Sequence, residues 1–149
     1  MTAPRVEKAY EKHAWIILFL LGIFNLLSAL GFIVMGQPFE EDLQRLTGKS
    51  WGEITASNPG LEIIIGIDYR VFGLGFAAFA LLVVAISVKS FRRGERWSWY
   101  ALWIFPFLLG VATVLDFGAG GSFWILAVIE TVLFAMGLLL PVRKFFARR

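Results

Sequence analysis

Four long apolar runs constrain the fold of this chain more than any other feature of its sequence. They cover about residues 14–35, 61–88, 97–117 and 122–140. A helix needs about 20 predominantly apolar residues to cross the hydrocarbon core of a bilayer. Because lipid offers no hydrogen bonds, the backbone of each run must satisfy its own polar groups, which a helix does. The sequence therefore predicts an all-α fold, a four-transmembrane-helix bundle.

The composition supports an integral membrane protein and excludes several classes of site. Hydrophobic residues make up 58% of the chain and aromatic residues 16%, which is too apolar for a soluble surface of this size. The chain has no cysteine and one histidine, so the sequence predicts no disulfide, no metal site and no cysteine nucleophile. No motif identifies a cofactor. The net charge of +3 is interpreted as a topology signal, so no nucleic-acid partner is predicted.

Residues 36–60 form the one sizeable polar segment. Pro38 and the acidic residues that follow it suit the first turn of a helix. Ser50 and Glu53 have the spacing of a capping box, which indicates a second helix start. We predict two short amphipathic helices on the membrane surface, which form a cap between the first and second spans. Residues 1–149 are then a single integral membrane domain.

The distribution of Lys and Arg predicts how the chain is oriented. Eleven of these residues lie before the first run, between the second and third runs, or in the tail, and two lie in residues 36–60. Cytoplasmic loops of membrane proteins carry such an excess. The sequence therefore predicts a multi-pass protein of the cell inner or plasma membrane, with both termini cytoplasmic and the cap outside.

Polar residues within the apolar runs are the candidate functional residues. A charge at the centre of a spanning helix costs roughly 2.5–3.5 kcal/mol, so such side chains normally face protein or water. Arg70 lies seven residues after Ile63 and Glu130 seven after Phe123, which places both at a similar depth. We predict an Arg70–Glu130 ion pair within an intramembrane polar cluster that is either structural or ligand-binding. The cluster contains Asn25, Asp68, Tyr69, Arg70, Thr113, Asp116 and Glu130.

Two further expectations follow from helical spacing and charge. Asp68 is about 200° around the helix from Arg70, so it is expected to meet another helix, the cap or a second protomer. Gly66, Arg70, Gly73 and Ala77 share one face whose small residues favour close helix packing. At the other end of the second run, Arg92, Arg93 and Arg96 are predicted to contact anionic lipid headgroups.

The segment FRRGERWSWYALW at positions 91–103 carries a resemblance. It is similar to a connection found in small uncharacterised prokaryotic membrane proteins with four predicted helices. The layout, with an Arg-x-x-Gly early in a helix at Arg70 to Gly73, also resembles DoxX-like proteins. The resemblance covers roughly the second half of the chain. It implies a four-helix bundle and assigns no chemistry.

Three functions are compatible with this pattern. The first is a non-enzymatic bundle that binds membrane lipids and a lipophilic small molecule, or is an accessory subunit of a larger membrane complex. The second is an enzyme acting on a lipid-like substrate, in which Glu130 or Asp68 is the general acid/base, although no residue is identified as catalytic by a motif. The third is a transporter, which would require a homodimer because four helices leave little room for a pore.

Overall fold

The computed structural model describes residues 9–146. Helix accounts for 86% of these residues and no strand occurs among them, which confirms the predicted all-α class. The helices are α1 Ala9–Met35, α2 Glu40–Thr47, α3 Trp51–Ser57, α4 Pro59–Ile86, α5 Arg96–Leu102, α6 Ile104–Gly118, α7 Trp124–Leu139 and α8 Val142–Phe146. A π-helical turn at Ser87–Phe91 continues α4.

Three helices are long and apolar enough to cross a membrane within the described residues. They are Ala9–Met35, Pro59–Phe91 and Arg96–Gly118, the last of which combines α5 and α6. The fourth predicted span corresponds to α7, an apolar helix of 16 residues. Because a span needs about 20 residues, α7 is short on its own, and the four-span arrangement stays a prediction.

Helix α1 lies between α4 and α7 and packs against both. Glycines make the close approach to α4 possible. A Cβ added to Gly22 would lie 2.8 Å from Val84 Cγ2, and one added to Gly73 would lie 3.0 Å from the Ala29 carbonyl oxygen. The prediction that Gly73 contacts a neighbouring helix is confirmed. On the other side of α1, Gly137 of α7 packs against Leu18.

The two ends of the bundle are packed differently. We call the end that carries α2 and α3 the cap end, and the end that carries Arg92, Arg93 and Arg96 the basic end. The apolar core lies towards the basic end, where Phe105 of α6 stacks on Phe134 of α7 at a centroid distance of 5.4 Å. Its fully buried members include Leu18, Val83, Leu102, Phe134 and Leu138. Towards the cap end, α4 and α6 border a partly open cavity instead.

The cap consists of two short helices, as predicted for residues 36–60. Helix α3 begins with the predicted capping box, in which Glu53 N donates to Ser50 Oγ and the Ser50 backbone N donates to the Glu53 carboxylate. The hydrogen bonds that the Ser50 backbone N and Ser50 Oγ donate to the Glu53 carboxylate, at 2.7 and 2.9 Å, lower the pKa of Glu53. Asp42 of α2 accepts hydrogen bonds from the backbone N and Oγ of Ser122, at 3.2 and 2.8 Å. The cap is thereby attached to the turn that precedes α7.

Candidate functional site, an aromatic cavity with an acidic rim

A cavity in two compartments occupies the cap end of the bundle. The larger compartment has a volume of about 640 Å³ and the smaller about 370 Å³. They adjoin, because the same four phenylalanines line both: Phe32, Phe39, Phe76 and Phe123. Pockets that hold drug-sized ligands commonly measure about 300–1,000 Å³. Each compartment is therefore large enough for a small organic molecule.

Single faces of α4 and α6 form two walls of the larger compartment, and Asn25 and Phe32 of α1 also line it. Phe72, Phe76 and Phe79 recur at helical spacing along α4 and line it together. From α6, Leu108, Leu109 and Ala112 line the opposite side. The compartment closes where Phe79 meets Phe105, whose ring centroids are 4.1 Å apart. The α4 wall is phenylalanine and the α6 wall is aliphatic, so the body of the cavity is apolar.

Carboxylates line the cavity and cationic side chains do not. Asp42, Asp68 and Asp116 border the larger compartment, and Glu40 and Glu130 border the smaller one. Among residues 9–146, no Lys or Arg lines either compartment, although the chain has 14 Lys and Arg against 11 Asp and Glu. The ionisable side chains that line the cavity are therefore acidic, whereas the protein as a whole has a net positive charge.

Asp116 has a structural role at the start of α7. Its Oδ2 accepts a hydrogen bond of 2.8 Å from the backbone N of Trp124. Gly121 packs so closely against the Asp116 carboxylate that an added Cβ would overlap it. Asp116 therefore holds the start of α7 in place, and its side chain also borders the cavity.

Asp68 and Tyr69 lie at the cap end of the larger compartment. Asp68 is exposed and has no hydrogen-bond or ion-pair partner within the described part of the chain. Tyr69 is half-buried, and its ring centroid is 6.2 Å from that of Phe32. Asp68 borders the cavity while Arg70 borders a different pocket. The expected separation of these two charges around α4 is therefore observed.

Asn25 and Glu130 are the buried polar pair of the site, with exposures of 3% and 4%. The Asn25 Nδ2 donates a 2.8 Å hydrogen bond to the Leu21 carbonyl oxygen one turn earlier in α1. Its side chain also interacts with the Glu130 carboxyl of α7. Asn25 therefore links two helices, as polar residues commonly do in membrane bundles. Each residue also borders one compartment of the cavity.

The predicted ion pair between Arg70 and Glu130 is wrong. The Arg70 guanidinium lies against Gly36, where an added Cβ would be 2.9 Å from Arg70 Cζ. It borders a separate pocket of about 250 Å³ with Glu62 and Trp51, and it has no ion-pair partner among residues 9–146. Glu130 instead meets α1 at Asn25.

The error came from the depth assigned to each residue. Glu130 meets Asn25 within α1, whereas Arg70 lies against Gly36, the residue that follows α1 and is eleven residues after Asn25. At ~1.5 Å per residue this separation is roughly 16 Å along the helix axis. Helix α4 begins at Pro59 and extends past the end of α1, whereas α7 begins only at Trp124. Arg70 and Glu130 are each seven residues from a position near the start of an apolar run, but the two runs do not start at the same level of the bundle. The two residues therefore lie at different depths.

This geometry predicts that Arg70 and Glu130 contribute independently to stability. Mutations at sites about 7–10 Å or more apart usually add within ~0.3–0.5 kcal/mol. The double variant Arg70→Met/Glu130→Leu should change the free energy of unfolding by the sum of the two single changes. Denaturant unfolding of the four proteins in dodecyl maltoside measures this sum. If the double variant is more stable than that sum predicts by more than about 1 kcal/mol, the result would contradict this geometry and support a direct Arg70–Glu130 pair.

The remaining predicted site residues lie elsewhere. Thr113 donates its hydroxyl to the Leu109 carbonyl oxygen of its own helix at 2.7 Å and borders neither compartment. Arg92 lies over the Trp15 ring at 5.1 Å. Arg96 donates to the Phe145 carbonyl oxygen at 2.9 Å, so it fastens α8 to the basic end. Arg93 is exposed. The lipid-headgroup contacts of these three arginines stay a prediction.

The functional residues that sequence reasoning missed are mainly aromatic. Phe32, Phe72, Phe76 and Phe79 form much of the cavity wall, and Asp42 adds a carboxylate from the cap. The sequence signal for three of them was the helical spacing of Phe72, Phe76 and Phe79 along one face of α4. Helical spacing of apolar residues normally indicates a packed core, so only the separation of α4 from α6 reveals the cavity.

Comparisons of the chain with protein-family models, curated protein sequences and solved structures find no match. The resemblance of positions 91–103 to small prokaryotic four-helix membrane proteins therefore stays a prediction, as does the DoxX-like layout at Arg70 to Gly73. Function is inferred from the geometry and chemistry of the site itself.

Proposed function

We propose that this protein is an integral membrane protein that binds a lipophilic small molecule in the cavity at the cap end. The observation that carries the proposal is the larger compartment, about 640 Å³ with phenylalanines along the α4 wall. A cavity of this size with apolar walls is suited to an apolar occupant.

The proposal includes a complete four-helix membrane bundle. Helix α7 packs against α1 and α6, both of which belong to segments long enough to cross a bilayer. Its 16 residues span roughly 24 Å at ~1.5 Å per residue. Flanking apolar residues and local thinning of the bilayer accommodate a short span at modest cost. Both termini are cytoplasmic in this arrangement, and the cap faces outwards.

Cysteine labelling tests the orientation, since the chain has no cysteine of its own. Lys49 in the cap and Arg93 at the basic end are both exposed. We expect a membrane-impermeant maleimide to label Lys49→Cys in intact cells and Arg93→Cys only after permeabilisation. Labelling of Arg93→Cys alone in intact cells would reverse the assigned orientation.

A second candidate is an enzyme acting on a lipid-like substrate. The observation that favours it is Glu130, a carboxyl that is 4% exposed, lines the smaller compartment and has no cationic partner among residues 9–146. A carboxyl in such a place can exchange a proton with a bound molecule. Incubation with total membrane lipid, followed by mass spectrometry, should then show a product that Glu130→Gln does not form. No product with the unaltered protein would remove this candidate.

Equilibrium binding tests the lipophilic-ligand proposal directly. The purified protein is placed in nanodiscs of the uncharged lipid digalactosyldiacylglycerol, and radiolabelled 2,2-dimethyldodecane serves as the probe. We expect a saturable component of one probe per chain above the partition into empty nanodiscs. Uptake equal to that of empty nanodiscs at every concentration would contradict the proposed function.

A further inference from the structure

Given the proposed lipophilic-ligand function, we infer that the preferred occupant of the larger compartment is an amphiphile with a single cationic headgroup. The apolar part of this molecule lies between α4 and α6. Its positive group lies at the acidic rim, which we define as Asp42, Asp68 and Asp116.

The apolar and acidic parts of the compartment are at opposite ends of it. Phe79 and Phe105 close the compartment on the side of the core, and Asp68 borders it at the cap end. Asp68 and Phe79 are eleven residues apart on α4, which is roughly 16 Å at ~1.5 Å per residue. An occupant of this length places a hydrocarbon body among phenylalanines and its headgroup beside carboxylates.

The three rim carboxylates differ in their hydrogen-bond and ion-pair partners. Asp42 pairs with Arg45 at 2.5 Å and accepts hydrogen bonds from Ser122. Asp116 accepts the hydrogen bond from Trp124 that caps α7. Asp68 has neither kind of partner within residues 9–146. Asp68 is therefore the carboxylate that can pair with a bound cation, because Arg45 compensates the charge of Asp42 and Asp116 is held by its hydrogen bond to Trp124.

The chemistry of the rim also excludes other occupants. An anionic headgroup would be repelled by the carboxylates, since no Lys or Arg among the described residues borders the compartment. No group of three or more His, Asp and Glu among the same residues is placed to hold a metal ion. A monovalent organic cation, such as an alkylammonium, satisfies Asp68 without multidentate ligands. The aromatic walls are also compatible with a cationic headgroup, because ring faces attract cations.

A matched pair of probes tests the charge preference. Decyltrimethylammonium and 2,2-dimethyldodecane have the same shape and differ only in the positive charge. Saturable binding of each is measured in the uncharged nanodiscs used above. An ion pair near a protein surface gains a few kcal/mol, partly offset by desolvation, so we expect the cation to bind about tenfold more tightly. Equal affinity for both probes would overturn the inference and leave the proposed function intact, whereas failure of both to bind would remove the proposed function.

Variants at two carboxylates on α4 assign the preference to Asp68. Asp68→Asn should reduce the preference for the cation to near unity while the isostere binds as before, which also shows that the variant is folded. Asp68→Lys should bind the isostere in preference to the cation. Glu62→Gln is the matched control, because Glu62 lies on the same helix but borders the Arg70 pocket. A cation preference that survives Asp68→Asn, or that Glu62→Gln abolishes, would overturn the assignment.

Discussion

Gly73→Leu is expected to lower the free energy of unfolding by about 3 kcal/mol, the upper end of the usual cost of overpacking. A Cβ at position 73 would lie 2.8 Å from Ile33 Cγ1 and 3.0 Å from both the Ala29 carbonyl oxygen and the Ile33 backbone N. Two of these three atoms belong to the backbone of α1, which cannot rotate away. The larger side chain therefore forces α1 and α4 apart along their closest contact.

Gly75→Leu provides the matched control. Gly75 is two residues further along α4, and a Cβ added there meets no atom within 4 Å. Denaturant unfolding in dodecyl maltoside should leave Gly75→Leu close to the unaltered protein while Gly73→Leu loses its stability. Equal effects of the two substitutions would show that the cost arises from the helix itself and not from the contact with α1.

Helix type and approximate position were predictable because they depend on local sequence. Long apolar runs require helices, Ser50 and Glu53 form a capping box from adjacent residues, and Gly73 lies on a face of small residues. Each of these features is determined by residues within a few turns of one another. The structure confirms them for that reason.

Relative depth was not predictable in the same way. The level at which Arg70 lies depends on how far α4 extends past α1, and the level of Glu130 depends on where the turn before α7 ends. The hydrogen bonds between Asp42 and Ser122, for example, join the cap to the turn before α7 across 80 residues of sequence. Counting from the end of an apolar run contains no information on these contacts.

The cavity was not predictable because its walls have the same pattern as a core. Phe72, Phe76 and Phe79 would be equally well explained by tight packing against α6. Asp68, in contrast, was expected to face away from Arg70 because helical geometry alone separates them. The sequence predicts which residues share one face of a helix. It does not predict the space between α4 and α6, which depends on how each of them packs against the other helices of the bundle.

Blocking the cavity should weaken ligand binding without unfolding the protein. Ala112 of α6 is half-buried and lines the larger compartment. In Ala112→Trp the indole ring occupies space that the ligand would fill, so we expect the affinity for 2,2-dimethyldodecane to fall at least about tenfold. Loss of a few buried methylene contacts, each worth about 0.8 kcal/mol, is sufficient for this change.

Saturable binding of 2,2-dimethyldodecane to Ala112→Trp, compared with Ala78→Trp, is the most direct test that the cavity is the binding site. Ala78 is exposed on α4 and borders neither compartment. Both variants therefore add the same ring to an apolar helix, but only one adds it to the cavity. We predict one saturable site per chain in Ala78→Trp and a site weakened at least about tenfold in Ala112→Trp. Equal binding by the two variants would contradict a ligand site between α4 and α6.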